Sequence, residues 1–209
     1  MAKIGFTLSS EEQPPGLLVE HAAAAEQAGF DFLSISDHFH PWVDRQGQSP
    51  FVWSVIGAVS RATERIELIT GVTCPTTRIH PAIIAQAAAT TACLMPGRFS
   101  LGLGSGENLN EHILGDRWPS VDIRQERLEE AVTVIRSLWE GGLTNHRGVH
   151  YEVENARIYT LPDQLPPILI ATAGEQATEL AGRVGDGLVG LIPDSSVIEQ
   201  FHESGGEGK

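Results

Sequence analysis

The stretch "IELITGVTCPTTRIHPAIIAQAAATTACLMPGRFSLGLG", residues 66–104, contains a short apolar run, a helical pattern and a second short apolar run. The runs 66–72 and 98–104 have the length and the near-continuous apolar character of strands that are buried on both faces. Between them, residues 81–95 begin with proline, which is favoured at the first position of a helix. A strand, a helix and a second strand in this order predict a βαβ unit of a parallel sheet.

The same alternation extends along the chain in both directions. Further strands are predicted at 3–8, 31–36, 166–174 and 186–192. Apolar residues at helical spacing, with glycine or proline at the boundaries, indicate the intervening helices. The other predicted segments are helices at 15–30, 51–63, 122–141 and 175–185, a small hairpin at 150–161 and an irregular tail at 201–209.

The predicted fold class is α/β, a (β/α)8 barrel of which the chain covers about the first six βα units. Repeated strand–helix units with near-continuous apolar strands favour a parallel sheet that is covered by helices. Such barrels typically need about 250 residues, whereas this chain has 209. We therefore expect residues 1–209 to form a single barrel domain that is truncated at its C-terminal end. A complete open α/β sheet is the alternative.

The composition indicates which kinds of partner and compartment are expected. A formal net charge of −13 disfavours nucleic acid and anionic membrane surfaces, so a small-molecule substrate is expected. The two cysteines, Cys74 and Cys93, do not make a disulfide framework, which favours a reducing cytoplasm. The sequence after Met1 lacks the pattern of a secretion leader, and no apolar run is long enough to span a membrane.

Polar side chains follow the ends of the predicted strands. Because (β/α)8 barrels carry their reactive residues just after the carboxyl ends of the strands, we expect these side chains to share one rim. Each of them alone would be explained as a turn or capping residue. The set comprises Ser9, Ser10, Glu11, Glu12, Asp37, His38, His40, Trp42, Thr73, Cys74, Thr76, Thr77, Ser105, Glu107, Asn108, Asn110, Thr172, Ala173 and Gly174.

The pair His38 and His40 permits an interpretation as a metal site, because residues two apart on a strand point to the same side. A metal hydrolase of that type needs further ligands, and no histidine follows the fifth or the sixth predicted strand. Pro41 also indicates a chain that is already turning into a loop. The sequence therefore favours a site without a metal, with a metal hydrolase as a remote alternative.

The glycine-rich "GLGSGE", residues 102–107, has some likeness to a dinucleotide fingerprint. It lacks the third glycine at the required offset, and no compact helix begins directly on it. Small residues at the end of a strand are better explained as a place where a flat ring approaches the backbone.

Several segments, in order along nearly the whole chain, share the pattern of one protein family. They are "SSEEQ" (9–13), "SDHFHPW" (36–42), "QSPFVWSVIGA" (48–58), "GVTCPT" (71–76), "HPAIIAQAAAT" (80–90), "GLGSGENLNEHILG" (102–115) and "LAGRVGDGL" (180–188). Together they resemble the luciferase-like (β/α)8 superfamily in its coenzyme F420-dependent branch, in the subgroup named after F420-dependent glucose-6-phosphate dehydrogenase. The resemblance covers roughly the first two thirds of a full-length member, so strands 7 and 8 are expected to be missing.

This resemblance implies catalytic roles for residues of the rim. His38 would be the base that takes the hydroxyl proton as hydride leaves the substrate, and Asp37 would fix or polarise it. Trp42 would wall the pocket and contact the substrate. Glu107 would be the acid that supplies a proton to the deazaflavin ring nitrogen, and Glu12 of the first loop would contribute to substrate binding.

The resemblance also implies how coenzyme F420 is held. A non-proline cis peptide bond is expected behind its ring, at Gly71–Val72, and the ribityl and phosphate part is expected near the start of the helix after Gly174, whose N–H groups suit an anion. The implied coenzyme-binding residues are Asp37, Gly71, Val72, Thr73, Gly106, Glu107, Asn110, Ala173 and Gly174.

Elementary chemistry agrees with these roles. Hydride transfer needs a base with a pKa near the working pH, which histidine supplies, while the coenzyme carries the redox chemistry. The favoured function is an F420-dependent dehydrogenase or reductase, in a homodimer as is common in the family. An FMN-dependent monooxygenase of the same superfamily and a non-catalytic, incomplete barrel are the alternatives.

One position departs from the pattern of the sugar-phosphate enzymes in this subgroup. They bind the substrate phosphate with basic residues, one of them after strand 6, where this chain has Asp194. A carboxylate repels a phosphate dianion, so glucose 6-phosphate is not the expected substrate. An alcohol, an uncharged sugar or another carbonyl compound is expected instead.

Overall fold

A computed structural model of the chain describes residues 2–209, and its central feature is a parallel sheet. The strands in chain order are β1 (Gly5–Leu8), β2 (Phe32–Ile35), β3 (Glu67–Thr70), β4 (Phe99–Leu103), β5 (Thr144–Arg147), β6 (Glu152–Ala156), β7 (Ile168–Thr172) and β8 (Gly187–Gly190). Within the described residues the large sheet has six strands in the order β1-β2-β3-β4-β7-β8, and every neighbouring pair is parallel.

The helices form a layer on one side of this sheet. They are α1 (Pro15–Ala28), α2 (Val52–Ala62), α3 (Pro81–Leu94), α4 (Asn108–Glu111), α5 (Val121–Trp139), α6 (Glu175–Val184) and α7 (Ser195–Phe201). The long helices pack on one another in sequence, α1 on α2, α2 on α3, α3 on α5 and α5 on α6. Short 3-10 turns at Asp44–Gln46 and His112–Leu114 and a π-helical turn at His202–Gly206 complete the helical structure.

The order of the strands decides between the two predicted architectures. A doubly wound open sheet reverses its strand order at a switch point, whereas a barrel wall adds each strand beside the preceding one. Here the order along the sheet follows the order along the chain throughout. The sheet is therefore part of the wall of a (β/α)8 barrel, with β1 and β8 at its edges among residues 2–209, and the expectation of about six βα units is confirmed.

Alternating burial in β2, β3 and β7 gives these strands one face toward the helices and one face toward the barrel interior. In β2, Leu33 and Ile35 are fully buried, while Phe32 and Ser34 are partly exposed. Burial of each large aliphatic side chain contributes about 1.5–3 kcal/mol. The interior faces of β2, β3, β4, β7 and β8 line a trough of about 450 Å³, to which Glu67 and Ser100 add polar groups.

The hairpin lies earlier in the chain than predicted. Strands β5 and β6 pair antiparallel, so the hairpin covers residues 144–156 rather than 150–161. The alternation in the sequence belongs to β6, whereas β5 reads "TNHR" and offers no apolar period to detect. The turn between them is held by the carboxylate of Glu130, which accepts hydrogen bonds from successive backbone N–H groups of the turn.

The prediction of an irregular tail at 201–209 was wrong. Phe201 ends α7, and the chain continues directly into the π-helical turn, which packs against α6. Gly182 of α6 permits this contact, because a Cβ there would lie 2.6 Å from Ser204 Cβ and 2.7 Å from the Phe201 carbonyl oxygen. The many polar and glycine residues of the tail concealed a segment whose partner is distant in sequence.

Among the described residues, no helix combines the length and the apolar character needed to cross a membrane.

Candidate active site

The loops after β2 and β3 lie side by side at one rim of the sheet. Ile35 of β2 is opposite Thr70 of β3, and the Gly71 N–H donates to the Ile35 carbonyl oxygen at 2.7 Å. The register therefore brings residues 36–42 next to residues 71–78, so that the predicted base and the predicted coenzyme-binding segment share one rim.

The peptide bond between Gly71 and Val72 is cis, as expected from the sequence. Gly71 is required for packing as well, since a Cβ there would overlap the Ser34 hydroxyl oxygen. Thr73 continues the pairing with the next strand, because its N–H donates to the Gly102 carbonyl at 2.9 Å and its carbonyl accepts from the Gly104 N–H at 3.0 Å. The segment 71–73 thus lies between the ends of β2 and β4.

Two glycines of "GLGSGE" have a packing role within the sheet. A Cβ on Gly104 would lie 2.7 Å from the Val72 side chain, and a Cβ on Gly102 would overlap the Thr70 carbonyl oxygen. These glycines let β4 approach β3 closely, which positions the segment of Val72. The pattern of glycines was visible in the sequence, but the strand that they approach was not.

His38 faces the carboxylate of Glu11, which comes from the loop after β1. The ring Nδ1 lies 2.7 Å from Glu11 Oε1, and the two side chains are 14% and 5% exposed. Among the described residues neither atom has a well-aligned hydrogen-bond partner, so this is a close polar contact that becomes an ion pair when the ring is protonated. The other oxygen, Glu11 Oε2, accepts from Ser36 Oγ at 2.9 Å and Ser9 Oγ at 3.1 Å.

Glu11 is ionised at neutral pH. Burial by itself raises the pKa of its carboxyl group, but the interactions with His38, the local backbone and Ser36 outweigh burial and lower the pKa to about 2. A permanent negative charge therefore lies beside the predicted base.

The neighbouring Glu12 is the residue of this loop for which the family resemblance implies a contribution to substrate binding. The Glu12 side chain is exposed and accepts a hydrogen bond from Gln46 Nε2 at 3.3 Å. Glu11 was included in the rim but received no role, because two adjacent glutamates on a turn point in different directions and their spacing does not reveal which one faces inward.

Trp42 forms a wall beside His38. The two rings are edge to face, with centroids 5.0 Å apart and planes at 82°. Trp42 is 54% exposed, so one side of the indole is open to solvent. The loop is fixed from behind by Ser49, whose hydroxyl donates to the His38 carbonyl oxygen at 2.7 Å.

The side chain of Asn110 holds the backbone of the same loop. Its side-chain oxygen accepts hydrogen bonds from the N–H groups of Phe39 at 2.9 Å and His40 at 3.1 Å. His40 Nδ1 in turn lies 2.9 Å from the Leu109 carbonyl oxygen. His38 and His40 thus have separate partners, and the oxygen of Asn110, a predicted coenzyme ligand, is used within the protein.

Asp37 is buried and is shared by two donors. Its carboxylate accepts from Thr73 Oγ1 at 2.7 Å and from the guanidinium of Arg78 at 2.9 Å. Two residues predicted to bind the coenzyme, Asp37 and Thr73, therefore contact each other. Arg78 was missed by the sequence analysis, because an isolated arginine in a loop carries no signal of its partners.

The remaining predicted residues lie on the loops after β4 and β7. Glu107 is exposed and immediately precedes α4, and Gly106 before it has φ +88°, a left-handed conformation that favours glycine. Ala173 and Gly174 are exposed and immediately precede α6. Because β4 pairs in parallel with β7, these two loops are neighbours on the rim.

The sequence family of the chain follows from a comparison with family models. The model described as luciferase-like monooxygenase matches residues 1–203. The chain belongs to this family. The predicted resemblance is confirmed at this level.

Within this family, the chain is similar to curated F420-dependent dehydrogenases. The chain is 44% identical over 189 residues to an F420-dependent glucose-6-phosphate dehydrogenase of Beutenbergia cavernae, covering 90% of this chain and 56% of the relative. It is 44% identical over 201 residues to an F420-dependent hydroxymycolic acid dehydrogenase of Mycobacterium tuberculosis, covering 95% of this chain and 56% of the relative. The chain thus spans a little over half the length of the curated relatives it matches.

Solved structures of the family share the fold. An F420-dependent secondary alcohol dehydrogenase in complex with an F420–acetone adduct superposes with a TM-score of 0.93 at 37% identity, over 98% of this chain and 64% of that one. A coenzyme F420-dependent tetrahydromethanopterin reductase from Methanopyrus kandleri superposes with a TM-score of 0.82 at 22% identity, over 98% and 62%. The second likeness shows the fold alone, and both agree with a partial barrel.

Proposed function

We propose that the chain forms the catalytic part of an F420-dependent oxidoreductase that transfers a hydride between the deazaflavin coenzyme and an alcohol, an uncharged sugar or a carbonyl compound. The observation that carries the proposal is the contact of His38 with the ionised Glu11 at the rim, beside the cis peptide Gly71–Val72. The names of relatives at 44% identity and of a structure at 37% identity support the same coenzyme.

His38 is the proposed base. A carboxylate beside Nδ1 favours the tautomer that carries its proton there, which leaves the Nε2 lone pair free to accept the hydroxyl proton of the substrate. As that proton arrives, the ring becomes an imidazolium, and the negative charge of Glu11 stabilises it. Trp42 excludes water from one side of the ring.

The coenzyme would lie against the loops after β3, β4 and β7. When bound, it supplies the ring carbon that accepts or donates the hydride. The small residues Ala173 and Gly174 leave room above the start of α6, and no atom lies within 4 Å of a Cβ built on Gly174. The free N–H groups in the first turn of this ten-residue helix suit the phosphate of the coenzyme.

Glu107 is the proposed acid. It lies on the loop after β4, whereas His38 lies on the loop after β2, so proton donor and proton acceptor come from separate loops of one rim. The exposed carboxyl group exchanges protons with solvent readily, which suits a group that must be reloaded in each turnover.

Asp194 disfavours a phosphorylated substrate. Its carboxylate accepts from the Ser196 N–H at 2.9 Å and from the Ser196 hydroxyl at 2.7 Å, and these hydrogen bonds lower its pKa below the ordinary value. The group is therefore ionised at neutral pH and repels a phosphate dianion. A neutral substrate is compatible with this charge.

The test of the function is a titration of the purified chain with coenzyme F420, followed by the fluorescence of the coenzyme, with FMN in parallel. Saturable binding of F420 alone, weakened in Glu107→Gln, supports the proposal and leads to a screen of alcohols and uncharged sugars by loss of F420 absorbance. Preference for FMN would favour the monooxygenase alternative. Absence of binding by a chain that unfolds cooperatively would contradict the coenzyme assignment.

A further inference from the structure

Arg78 lies in the loop after β3, buried between two carboxylates. Its guanidinium NH2 is 2.9 Å from Asp37 Oδ1, and its Nε is 3.6 Å from Glu111 Oε1. The side chains of Arg78, Asp37 and Glu111 are 6%, 1% and 0% exposed. A buried guanidinium of this kind compensates carboxylates that water no longer reaches.

The charges of this cluster depend on one another. Burial lowers the pKa of Arg78, but the charge and hydrogen bond of Asp37 together with the charge of Glu111 outweigh burial and raise it, so the guanidinium is charged. Burial raises the pKa of the Glu111 carboxyl, although Arg78 opposes this effect. Burial and the carboxylates of Glu111 and Asp37 also raise the pKa of the Cys74 thiol. The field around Arg78 is therefore negative, and Arg78 supplies the local compensating charge.

Arg78 also joins the two loops that carry the proposed base and acid. On one side its NH2 group contacts both the carboxylate and, at 3.3 Å, the backbone carbonyl of Asp37, the residue that precedes His38. On the other side its backbone N–H donates to Glu111 Oε2 at 2.6 Å. Glu111 is the last residue of α4, and Glu107 immediately precedes this helix.

We propose that Arg78 is a positioning residue, which fixes the loop of His38 against α4 and compensates the buried charge of Asp37 in that loop. The role in catalysis rests on the proposed function, whereas the effect on the loop can be measured without the coenzyme. Arg78 contacts neither the proposed reacting atoms nor the proposed hydride path, so it acts through Asp37 and Glu111.

Removal of the guanidinium affects the loop of His38 through Asp37. The Asp37 carboxylate is buried, so without Arg78 its Oδ1 loses the charge that compensates it. Opening of the loop toward water relieves this cost, so the backbone that bears His38 becomes more mobile.

The test compares Arg78→Gln and Arg78→Lys with the wild-type chain by backbone amide hydrogen exchange without coenzyme. We expect Arg78→Gln to speed exchange of the Phe39 and His40 N–H groups, which Asn110 binds, by about tenfold or more, and Arg78→Lys, which keeps the charge, to speed it less. Arg127→Gln is the matched control, since Arg127 donates to Thr76 O and Thr77 Oγ1 nearby and forms no ion pair with the described residues.

Kinetics then test the effect of this geometry on catalysis. Because an ammonium cannot contact Asp37 through one nitrogen and approach Glu111 through another, as the guanidinium does, Arg78→Lys should lower kcat at least about tenfold with little change in KM. Wild-type exchange and wild-type kcat in the Arg78 variants, with cooperative unfolding retained, would overturn the proposal. If Arg78→Gln does not fold, Arg78→Lys alone decides through exchange and kcat. A wild-type chain that binds no F420 would instead defeat the proposed function, while the exchange result would still test the positioning of the loop.

Discussion

The imidazole of His38 and the carboxylate of Glu11 face each other across the ends of β2 and β1, with Nδ1 2.7 Å from Oε1. Replacing the carboxylate by an amide in Glu11→Gln keeps the shape but removes the charge that stabilises the imidazolium. We expect kcat for F420 reduction to fall by about a hundredfold. Glu12→Gln, which changes the exposed neighbour, is the matched control, and equal loss in both variants would contradict the assignment of Glu11.

The same carboxylate makes a contribution to acid stability. Its folded-state pKa of about 2 lies below the ordinary value of 4.5, so the ionised group stabilises the fold above about pH 4.5, and this contribution is lost as the pH falls toward 2. The full contribution is about 3 kcal/mol, on an order-of-magnitude scale. Urea unfolding of the wild type and Glu11→Gln should therefore differ most near pH 7 and converge only below about pH 2. A difference that is independent of pH would refute this origin.

Tyr151 ties the β5–β6 hairpin to the loop after β3. Its buried hydroxyl lies 2.9 Å from the Pro75 carbonyl oxygen and 3.0 Å from the Thr76 carbonyl oxygen. The hydroxyl donates a hydrogen bond that these two acceptors share. Tyr151→Phe leaves these carbonyls without this donor and should lower the free energy of unfolding by about 1–2 kcal/mol. Tyr159→Phe removes a hydroxyl from a side chain that is 84% exposed and should be close to neutral. Chemical denaturation of both variants provides the comparison.

Two glycine-to-alanine substitutions should change the free energy of unfolding in opposite directions. A Cβ on Gly102 would overlap the Thr70 carbonyl oxygen, so Gly102→Ala should destabilise the chain by roughly 1–3 kcal/mol. Gly57 lies inside α2 with open space around it, so Gly57→Ala should stabilise the chain by up to about 1 kcal/mol. Thermal unfolding midpoints measured under one condition should fall for Gly102→Ala and rise for Gly57→Ala, relative to the wild type. A higher midpoint for Gly102→Ala would show that the close approach of β4 to β3 is not obligatory.

The charge of Asp194 predicts the selectivity for substrates. Asp194→Asn keeps an oxygen acceptor for Ser196 but removes the repulsion of a phosphate. We expect kcat/KM for a sugar phosphate to rise by several-fold relative to an uncharged alcohol, with the alcohol rate unchanged. The ratio of the two kcat/KM values is the measurement, and a ratio that is the same in both proteins would remove Asp194 from the account of specificity.

Much of the fold could be predicted because its elements carry strong local periods. The apolar runs at β3 and β4 and the proline that opens α3 are visible without knowledge of any neighbour. The polar strand β5 and the π-helical turn were missed because their stability comes from distant partners, Glu130 for the hairpin and Gly182 for the tail.

The candidate site also contains some features that the sequence predicts and others that it does not. His38 and the cis bond at Gly71–Val72 were predicted from a local motif and its family pattern. The choice of Glu11 over Glu12 and the burial of Arg78 depend on how three loops meet, which no single stretch of sequence contains. Spacing along the chain therefore predicts which residues are on the rim, and tertiary packing decides which of them touch.

Asn110 secures the chain on both sides of the Phe39 peptide group without carrying any charge of its own. An amide does not titrate in the physiological range, unlike the carboxylates and histidines around it. The tie that Asn110 makes to the backbone around His38 therefore does not depend on pH. In the proposed mechanism the imidazole gains and loses a proton in every cycle while this tie keeps its length, so that each new substrate would meet the base at the same distance.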